Sequence, residues 1–221
     1  MKAKIREVWA RFWMRFAGTG RPGRTAMWLA GWFYPPYKAR HALARLSSAG
    51  YLSPRAQLHH PGLLLGAHVF VGEGVTVFGR SGQEKVVVGD AVYINRDTLI
   101  ETGHGGSLVI GNRTTIQPRC QFSAYKGDIR IGEDVQIAPA CAFYPYNHSM
   151  SADVPMKQQP LVSKGGIRID DDVWLGYGVI VLDGVHIGKG AVIGAGSVVN
   201  RDIPAGTIAA GVPARVIKDR E

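Results

Sequence analysis

Histidine side chains are the groups in this 221-residue chain that are best suited to proton transfer near neutral pH. One of the seven, His148, stands in the segment YPYNHS at 144–149, within the longest interruption of an otherwise periodic sequence. A neutral imidazole at this place could accept the proton of an attacking hydroxyl group. The competing interpretation is a polar loop residue without chemistry, so the elements around His148 decide its role.

The other histidines give weaker signals for chemistry. A zinc site built from three histidines needs imidazoles that converge on one point. In a repeat sequence two of them would lie five residues apart, and this sequence holds no His-x4-His pair. We therefore expect no metal. His186 occupies an outward position of the periodic pattern, and four histidines lie in irregular or peripheral stretches: His59, His60, His68 and His104.

A six-residue period governs the segment 169–204, and the rest of the chain is organised around it. Neither an α-helix nor an ordinary strand has this period. A hexapeptide repeat indicates a parallel β-helix, in which each repeat forms one side of a triangular coil. The aliphatic positions of the repeat are Ile169, Leu175, Val181, Ile187, Ile193 and Val199.

Less perfect hexads begin near residue 52 and group into triplets of 18 residues. Each triplet predicts one coil, and successive coils would pair as parallel strands. The register slips through 78–87, 101–109, 123–130 and 144–168, where loops at coil corners can absorb the extra residues. The inward triplets are Leu65, Val71 and Val77; Val88, Ile94 and Ile100; Ile110, Ile116 and Phe122; and Ile131, Ile137 and Phe143.

Residues 1–60 differ from the rest of the chain in charge and aromatic content. They hold eleven Lys or Arg and one acidic residue, Glu7, a net charge of +10, whereas the remaining residues sum to −1. Four of the five tryptophans also lie there. The pattern predicts an amphipathic helix over 2–17, a break at 18–23 and a second short helix over 37–48.

Two interpretations stay open for the apolar face of this N-terminal region. It packs against the β-helix or a neighbouring subunit, or residues 1–35 lie on an anionic membrane surface, for which Trp and Phe beside Lys and Arg are typical. Because the basic residues alternate with apolar ones and form no recognised motif, nucleic acid is not an expected partner.

The sequence divides into three regions and favours one compartment. Residues 1–50 are a basic, aromatic-rich helical appendage, 51–204 the β-helix with an extruded loop at 144–168, and 205–221 a tail that closes the stack. No secretory signal or transmembrane run is evident, which favours the cytoplasm, with peripheral contact at the inner membrane face as an option. Cys120 and Cys141 fall at the same inward position of neighbouring coils, where buried free thiols are favoured over a disulfide.

Residues 129–220 resemble the hexapeptide-repeat acetyltransferases of the galactoside, maltose, nodulation-factor and polysaccharide O-acetyltransferase group. The resemblance implies a left-handed β-helix that forms a homotrimer with active sites between subunits. It also implies acetyl-CoA as the donor and His148 as the general base for direct transfer. The similarity rests on IGEDVQIAP at 131–139, the NH of YPYNHS, IDDDVWLG at 169–176, IGKGAVIGAGSVV at 187–199, RDIP at 201–204 and AAGVPARVIK at 209–218.

The resemblance also implies binding residues on both sides of the reaction. The donor positions are Tyr177, Gly178, Ala195, Asn200, Arg201, Arg215 and Lys218, and the three cations among them suit the phosphates of CoA. On the acceptor side, Gln117 stands where the family places an asparagine one coil before the histidine, and Asn95 lies one coil further away. The remaining candidates on the acceptor side are Asn147, Asp153, Gln158 and Gln159.

The expected function is acetyl-CoA-dependent O-acetylation of a sugar, polysaccharide or glycolipid precursor. One alternative is N-acylation of an amino-sugar nucleotide, where the same base would serve an amine. Another is a β-helical scaffold without chemistry, against which the presence of His148 and the basic donor positions argues. A metal-dependent carbonic anhydrase, which can share the fold, is disfavoured by the histidine spacing.

Overall fold

The hexapeptide period becomes the three-sided coil of a parallel β-helix in the computed structural model, which describes residues 2–79 and 83–221. Successive coils pair residue for residue, as where Ile116 lies between Ile94 and Ile137. The predicted inward positions are buried throughout except for Leu65, which is partly exposed. The parallel β-helix and its N-terminal helical region are therefore confirmed, while the left hand of the coil stays a prediction.

The strands, numbered in chain order, form three long sheets within the described residues. The first sheet holds β1 (Tyr51–Leu52), β4 (Phe70–Val71), β7 (Tyr93–Ile94), β10 (Thr115–Ile116), β13 (Gln136–Ile137), β18 (Trp174–Leu175), β21 (Val192–Ile193), β23 (Thr207–Gly211) and β24 (Ala214–Asp219). The second holds β2 (Gln57–His59), β5 (Thr76–Gly79), β8 (Leu99–Gly103), β11 (Gln121–Tyr125), β14 (Ala142–Tyr144), β19 (Ile180–Leu182) and β22 (Val198–Val199). The third holds β3 (Leu63–Leu65), β6 (Val86–Val88), β9 (Leu108–Ile110), β12 (Ile129–Ile131), β17 (Ile167–Ile169) and β20 (His186–Ile187).

The corners between these sheets differ in the length of chain they hold. We call the corner from the first to the second sheet the first corner, and the corner from the second to the third sheet the second corner. Every irregular segment that interrupts the hexads lies at the second corner, between the second and third sheets. There the 144–168 segment adds a small antiparallel pair, β15 (Asn147–His148) and β16 (Leu161–Val162).

The core runs along the inside of the coil as stacked aliphatic and aromatic side chains. Phe122 and Phe143 lie parallel in neighbouring coils with ring centroids 4.5 Å apart. Cys120 and Cys141 are buried free thiols, as predicted. The contact with Cys141 and burial raise the pKa of the Cys120 thiol, which makes it a poor nucleophile.

The N-terminal helices cover the first coil. They are α1 (Lys2–Met14), α2 (Arg21–Ala30), a 3-10 turn (Tyr37–Arg40) and α3 (His41–Ala44), so the predicted helices over 2–17 and 37–48 are each too long. The predicted break at 18–23 is also too long, because Pro22 fits the first turn of α2, where its missing N–H costs nothing. No helix in the described residues is long and apolar enough to span a bilayer.

Contacts between these helices and the first strand fix their position at the end of the stack. Met27 and Leu43 are fully buried, and the backbone N–H of Leu52 points at the sulfur of Met27 at 3.1 Å. Arg24 donates to the carbonyl oxygens of Ser53 and Ala56 at 2.8 and 2.6 Å. One face of the appendage therefore packs on the β-helix, which is one of the two roles considered for it.

The C-terminal tail contributes to the solenoid itself. Strand β23 pairs in parallel with β21, and β24 folds back antiparallel on β23. Arg220 donates to the carbonyl oxygen of Gly190 at 2.9 Å and bonds the Asp172 carboxylate at 3.0 Å. The first sheet therefore continues beyond residue 204 through β23 and β24, and the division of the chain into three regions stays a prediction.

Candidate active site

The extruded loop forms a β-hairpin that carries His148. Asn147 pairs with Val162 and His148 with Leu161, and the N–H of Ser149 donates to the carbonyl oxygen of Pro160 at 2.9 Å. The predicted loop over 144–168 thus has a regular stem, which gives His148 a defined position on a strand.

Asp183 holds the base of this hairpin. Its carboxylate, nearly buried at 7% exposure, accepts hydrogen bonds from the Ser163 hydroxyl at 2.9 Å, the Lys164 N–H at 2.7 Å and the Gly166 N–H at 3.2 Å. Sequence reasoning missed this residue. It lies 35 positions after His148, directly beyond strand β19, and only the three-dimensional pairing connects it to the hairpin.

His148 is oriented by the opposite side of the hairpin. Its Nδ1 lies 3.4 Å from the carbonyl oxygen of Gln159, and because a carbonyl can only accept, this contact favours the tautomer with the proton on Nδ1. The Nε2 lone pair is then available on an exposed side chain. This tautomer is the one a general base needs.

The tip of the hairpin is shaped by Gln159 and presents two other candidates to solvent. The buried Gln159 amide donates to the carbonyl oxygens of Ser151 and Val154, both at 2.7 Å. Its nitrogen is therefore already used within the loop, where Gln159 supports the tip, and its predicted role in acceptor binding stays a prediction. Asp153 and Gln158 are exposed on the tip, and Asn147 is half-buried beside His148.

Asn95 is inaccessible to an acceptor. The side chain is fully buried, its nitrogen donates to the Ile116 carbonyl oxygen at 2.8 Å, and its oxygen accepts from Nε2 of His41 at 2.9 Å. Asn95 therefore fastens the helical appendage to the first corner, and these contacts argue against a role in acceptor binding. Gln117 is half-buried at the first corner of the next coil.

Tyrosines at the second corner form an aromatic row that leads to the hairpin. The rings of Tyr125 and Tyr146 lie 5.8 Å apart, those of Tyr144 and Tyr146 6.3 Å, and Tyr125 lies 5.9 Å from His104. Burial raises the pKa of Tyr144, and the nearby Tyr146 and Glu101 add to the rise, so its hydroxyl stays protonated. Sequence reasoning did not select these residues, although each follows an inward position where the hexads break.

The donor candidates Tyr177, Gly178 and Ala195 lie together along the first corner. The N–H of Gly196 donates to the Tyr177 carbonyl oxygen at 2.7 Å, which stacks the turn after Ala195 on the turn around Tyr177. The Tyr177 side chain is 56% exposed, and Ala195 is exposed beside it. A Cβ on Gly176 would come within 2.6 Å of the Ala195 nitrogen, so the coils approach closely here only because this residue is glycine.

The remaining donor candidates lie elsewhere in the chain. Asn200 and Arg201 are exposed at the second corner of the last coil, while Arg215 and Lys218 are exposed on β24 at the end of the first sheet. The donor candidates are therefore divided among three places: the first corner, the second corner and strand β24. Across the part of the chain that the structure describes, no three His, Cys, Asp or Glu side chains group closely enough to hold a metal ion.

Fold and site define a hexapeptide-repeat β-helix that carries a histidine on a hairpin at one corner. Residues 166–201 match the family described as bacterial transferase hexapeptide (six repeats). A Mycobacterium tuberculosis protein named a probable acetyltransferase is 34% identical over 168 residues, which cover 76% of this chain and 55% of that protein. The match to this family and the mycobacterial relative confirm the resemblance to hexapeptide-repeat transferases that was found in the sequence motifs.

Other comparisons concern shorter segments or the fold alone. A Staphylococcus aureus 2,3,4,5-tetrahydropyridine-2,6-dicarboxylate N-acetyltransferase is 50% identical over 56 residues, 25% of this chain and 23% of that enzyme. The chain thus spans about half the length of the mycobacterial relative and about a quarter of the staphylococcal one.

Two solved structures share the architecture at low sequence identity. The N-acyltransferase AntD of Bacillus cereus, in complex with dTDP-4-amino-4,6-dideoxyglucose and coenzyme A, has a TM-score of 0.56 at 20% identity, covering 77% of this chain and 80% of that one. The polySia specific acetyltransferase NeuO has a TM-score of 0.55 at 24% identity, covering 76% and 82%. At such identities the likeness concerns the fold.

Proposed function

We propose that this protein transfers an acetyl group from acetyl-CoA to a hydroxyl of a sugar, polysaccharide or glycolipid precursor. The observation that carries the proposal is His148, whose Nδ1 is engaged by the Gln159 carbonyl while its Nε2 is left for an acceptor. Nε2 takes the proton as the hydroxyl oxygen bonds to the thioester carbon. The carbon–sulfur bond then breaks, and His148 returns the proton to the sulfur of CoA.

The donor side of the proposal rests on exposed groups at the two corners of the last coils and on strand β24. Tyr177 and Ala195 offer an open edge for the pantetheine arm. Arg201, Arg215 and Lys218 are exposed cations that suit the phosphates of CoA. Lys218 forms a weak ion pair with Glu221 at 3.7 Å, which a phosphate could displace at little cost in free energy.

The separation of these groups favours a site shared between subunits. Within one chain, Tyr177 precedes strand β19 and Asp183, the anchor of the hairpin, follows it. The three residues of β19 alone span roughly 10 Å, so Tyr177 and the hairpin lie at opposite ends of this strand. In a homotrimer the first corner of one subunit would face the second corner of its neighbour, and exposed Trp174 and Ile180 beside Tyr177 give that edge an apolar surface to bury.

For the acceptor we propose a carbohydrate bound along the tyrosine row beside His148. Tyr125, Tyr144 and Tyr146 offer apolar ring faces together with hydroxyl groups, a combination that suits a sugar ring. AntD was solved with an amino-sugar nucleotide and NeuO is specific for polySia, which is consistent with this class. N-acylation of an amino sugar is the second candidate because AntD is an N-acyltransferase.

Buried free thiols fit a cytoplasmic location.

Thiol release measures the proposed reaction directly. The protein is incubated with acetyl-CoA and a panel of sugars, nucleotide sugars and lipid-linked glycans, and free CoA is followed with a thiol reagent. We expect acceptor-dependent release that falls by about 10²-fold or more in His148→Ala. The matched control is His186→Ala, which removes a histidine on the third sheet that is bonded to the Asp170 carboxylate.

The outcomes separate the candidate functions. Release with hydroxyl acceptors supports O-acetylation, whereas release only with amino sugars would move the assignment to N-acylation. Equal rates for His148→Ala and the parent protein would overturn the catalytic role of His148. If no acceptor gives release and the protein fails to bind CoA in calorimetry, a scaffold role becomes the better interpretation.

A further inference from the structure

Helix α1 is apolar on two faces, and only one of them is used for packing. Ala10 and Met14 are fully buried against the rest of the appendage. Val8 and Phe12 are 67% and 50% exposed, and they belong to a stripe along the opposite side. The stripe consists of Ile5, Val8, Phe12 and Phe16.

The end of α2 extends this apolar surface. Trp28 and Trp32 are exposed, with their rings 5.0 Å apart, and Phe33 is exposed next to them in sequence. Phe33 lies 5.5 Å from the ring of Trp9 on α1, so the two areas meet there. We call the seven residues Ile5, Val8, Phe12, Phe16, Trp28, Trp32 and Phe33 the cap surface.

The folded chain provides no cover for this surface in the described residues. The side chains that flank the stripe on α1 and its end are basic and exposed, namely Lys4, Arg11 and Arg15. Arg11 is paired with Glu7 at 2.8 Å, and Glu7 is the only acidic residue in the first sixty. A protein core or a permanent subunit interface is normally depleted of such charges, whereas a helix lying in a lipid headgroup layer needs both features.

We propose that the cap surface docks on an anionic lipid surface, with α1 lying in the plane of the headgroups. The aromatic and aliphatic side chains would enter the boundary between headgroups and acyl chains. The basic side chains would remain at headgroup level beside anionic phosphates, which their long stems allow. The positive charge of the first sixty residues, against the near-neutral remainder, selects an anionic surface over a neutral one.

The site of docking is separate from the candidate active site. The cap surface lies on the appendage that covers the first coil, whereas the hairpin leaves the stack after β14, four strand positions away in the second sheet. At about 4.8 Å for each position this is roughly 19 Å along the stack. Docking can therefore be lost without loss of acetyl transfer to a soluble acceptor.

Vesicle sedimentation tests the proposal with the full-length protein. Vesicles of neutral phosphatidylcholine are compared with vesicles that contain about one third phosphatidylglycerol, at low and at high salt. We expect binding to the anionic vesicles, a blue shift of tryptophan emission as Trp28 and Trp32 leave water, and weaker binding at high salt. Lys4→Gln/Arg15→Gln should weaken binding roughly 5-fold for each charge removed.

The decisive variant is Val8→Ser/Phe12→Ser, which changes two exposed side chains and no buried one. We expect it to lose binding by at least about 10-fold. The matched control is Leu64→Ser, which removes an exposed leucine from the third sheet and should bind like the parent. Circular dichroism and the mass in solution are recorded for all variants.

Three results would overturn the proposal. The first is that the full-length protein does not bind anionic vesicles at low salt. The second is that Val8→Ser/Phe12→Ser binds as well as the parent. The third is that this variant changes the mass in solution while no protein binds vesicles, which would make the cap surface an interface between copies of the chain. Acetyl transfer to a soluble acceptor is measured in parallel, so failure of docking and failure of the proposed activity are distinguished.

Discussion

The first and second corners bound the same sheet but hold different lengths of chain. At the first corner, inward positions lie six residues apart in every coil, as from Val71 to Val77 and from Ile193 to Val199. At the second corner the spacing is 11 from Val77 to Val88, and then 10, 9, 26 and 6 residues in the following coils.

We call the first corner the uniform corner and the second corner the variable corner. Contacts between coils explain why the uniform corner has the same length in every coil. At the first corner the turns of successive coils touch through backbone atoms, and Gly176 and buried Asn95 both occupy places without spare room. An inserted residue there would break the stack. At the second corner the strands β8 and β11 run on outward, so extra residues leave the stack without disturbing it.

Loss of Asp183 should disrupt the variable corner most. Asp183→Ala removes three hydrogen bonds at the base of the hairpin and frees His148 from its position. Because misplacement of a catalytic group by about 1 Å can cost 10²-fold, we expect thiol release to fall by about that factor. The control is Asp171→Ala, which loses one hydrogen bond from the Glu133 N–H outside the second corner. Equal activity of the two variants would contradict the anchoring role.

Gly176→Ala should damage the uniform corner. The added Cβ meets the backbone nitrogen of Ala195 at 2.6 Å, so the coils must shift, at a cost of about 1–3 kcal/mol. Gly178→Ala is the matched control: its Cβ meets nothing within 4 Å, and its φ of 68° resembles the 62° that Ala140 adopts at the corner of the preceding coil. The melting temperature should therefore fall from the parent to Gly178→Ala and further to Gly176→Ala. A reversed order of the two variants would refute the close approach of Gly176 to the Ala195 backbone.

Removal of the Gln159 side chain should have a smaller effect on the variable corner. Gln159→Ala deletes two hydrogen bonds to the loop tip but keeps the backbone carbonyl that orients His148. We expect kcat/KM to fall by about 10-fold, with the fall mainly in KM if the tip contacts the acceptor. Gln158→Ala is the comparison, since that side chain is exposed. If Gln158→Ala costs more, Gln158 binds the acceptor and Gln159 matters less for the loop than proposed.

The smallest expected effect is a pH dependence of stability from His60 at the variable corner. His60 accepts the Gly62 N–H at Nδ1, 3.0 Å, and donates from Nε2 to the Thr102 hydroxyl at 2.8 Å, so protonation breaks the first bond. Burial lowers the pKa of His60 below its ordinary 6.5, although Glu84 opposes this. The unfolded chain then binds the proton more readily, and stability present above pH 6.5 is lost as the pH falls through the folded pKa.

Melting curves between pH 7.5 and 5 measure this effect at constant ionic strength. The melting temperature of the parent should decline on acidification, and His60→Gln should decline less. Burial also lowers the pKa of His41, so His41→Gln should reduce the decline in the same direction. A melting temperature in the parent that stays flat down to pH 5 would show that neither imidazole is held neutral by the fold.

The solenoid was predictable because its residues repeat the same contact in every coil. Ile116 and Ile193 face inward for the same local reason, and one register error would have been visible against many correct ones. The site was predictable only in part. His148 could be found from its motif, but the carboxylate that anchors its hairpin could not, because Asp183 reads as an ordinary residue after a hexad.

The residues that sequence reasoning misplaced owe their roles to contacts between distant segments. Asn95 reads as a family-like asparagine, yet His41 from the appendage, 54 positions earlier, covers it. The tyrosine row escaped notice because Tyr125 and Tyr146 lie in different interruptions of the period. In aperiodic segments no repeated position confirms which way a side chain faces, so the sequence defines their partners poorly.

The constant spacing of the coils has a consequence for how such a molecule could change during evolution. Each complete coil adds one strand to each sheet and moves the hairpin by about 4.8 Å relative to the helical end. Insertion or loss of an 18-residue unit in the middle would preserve both ends and alter only the distance between them. The solenoid is in this sense a molecular ruler, whose length is set by counting coils rather than by refining any individual contact.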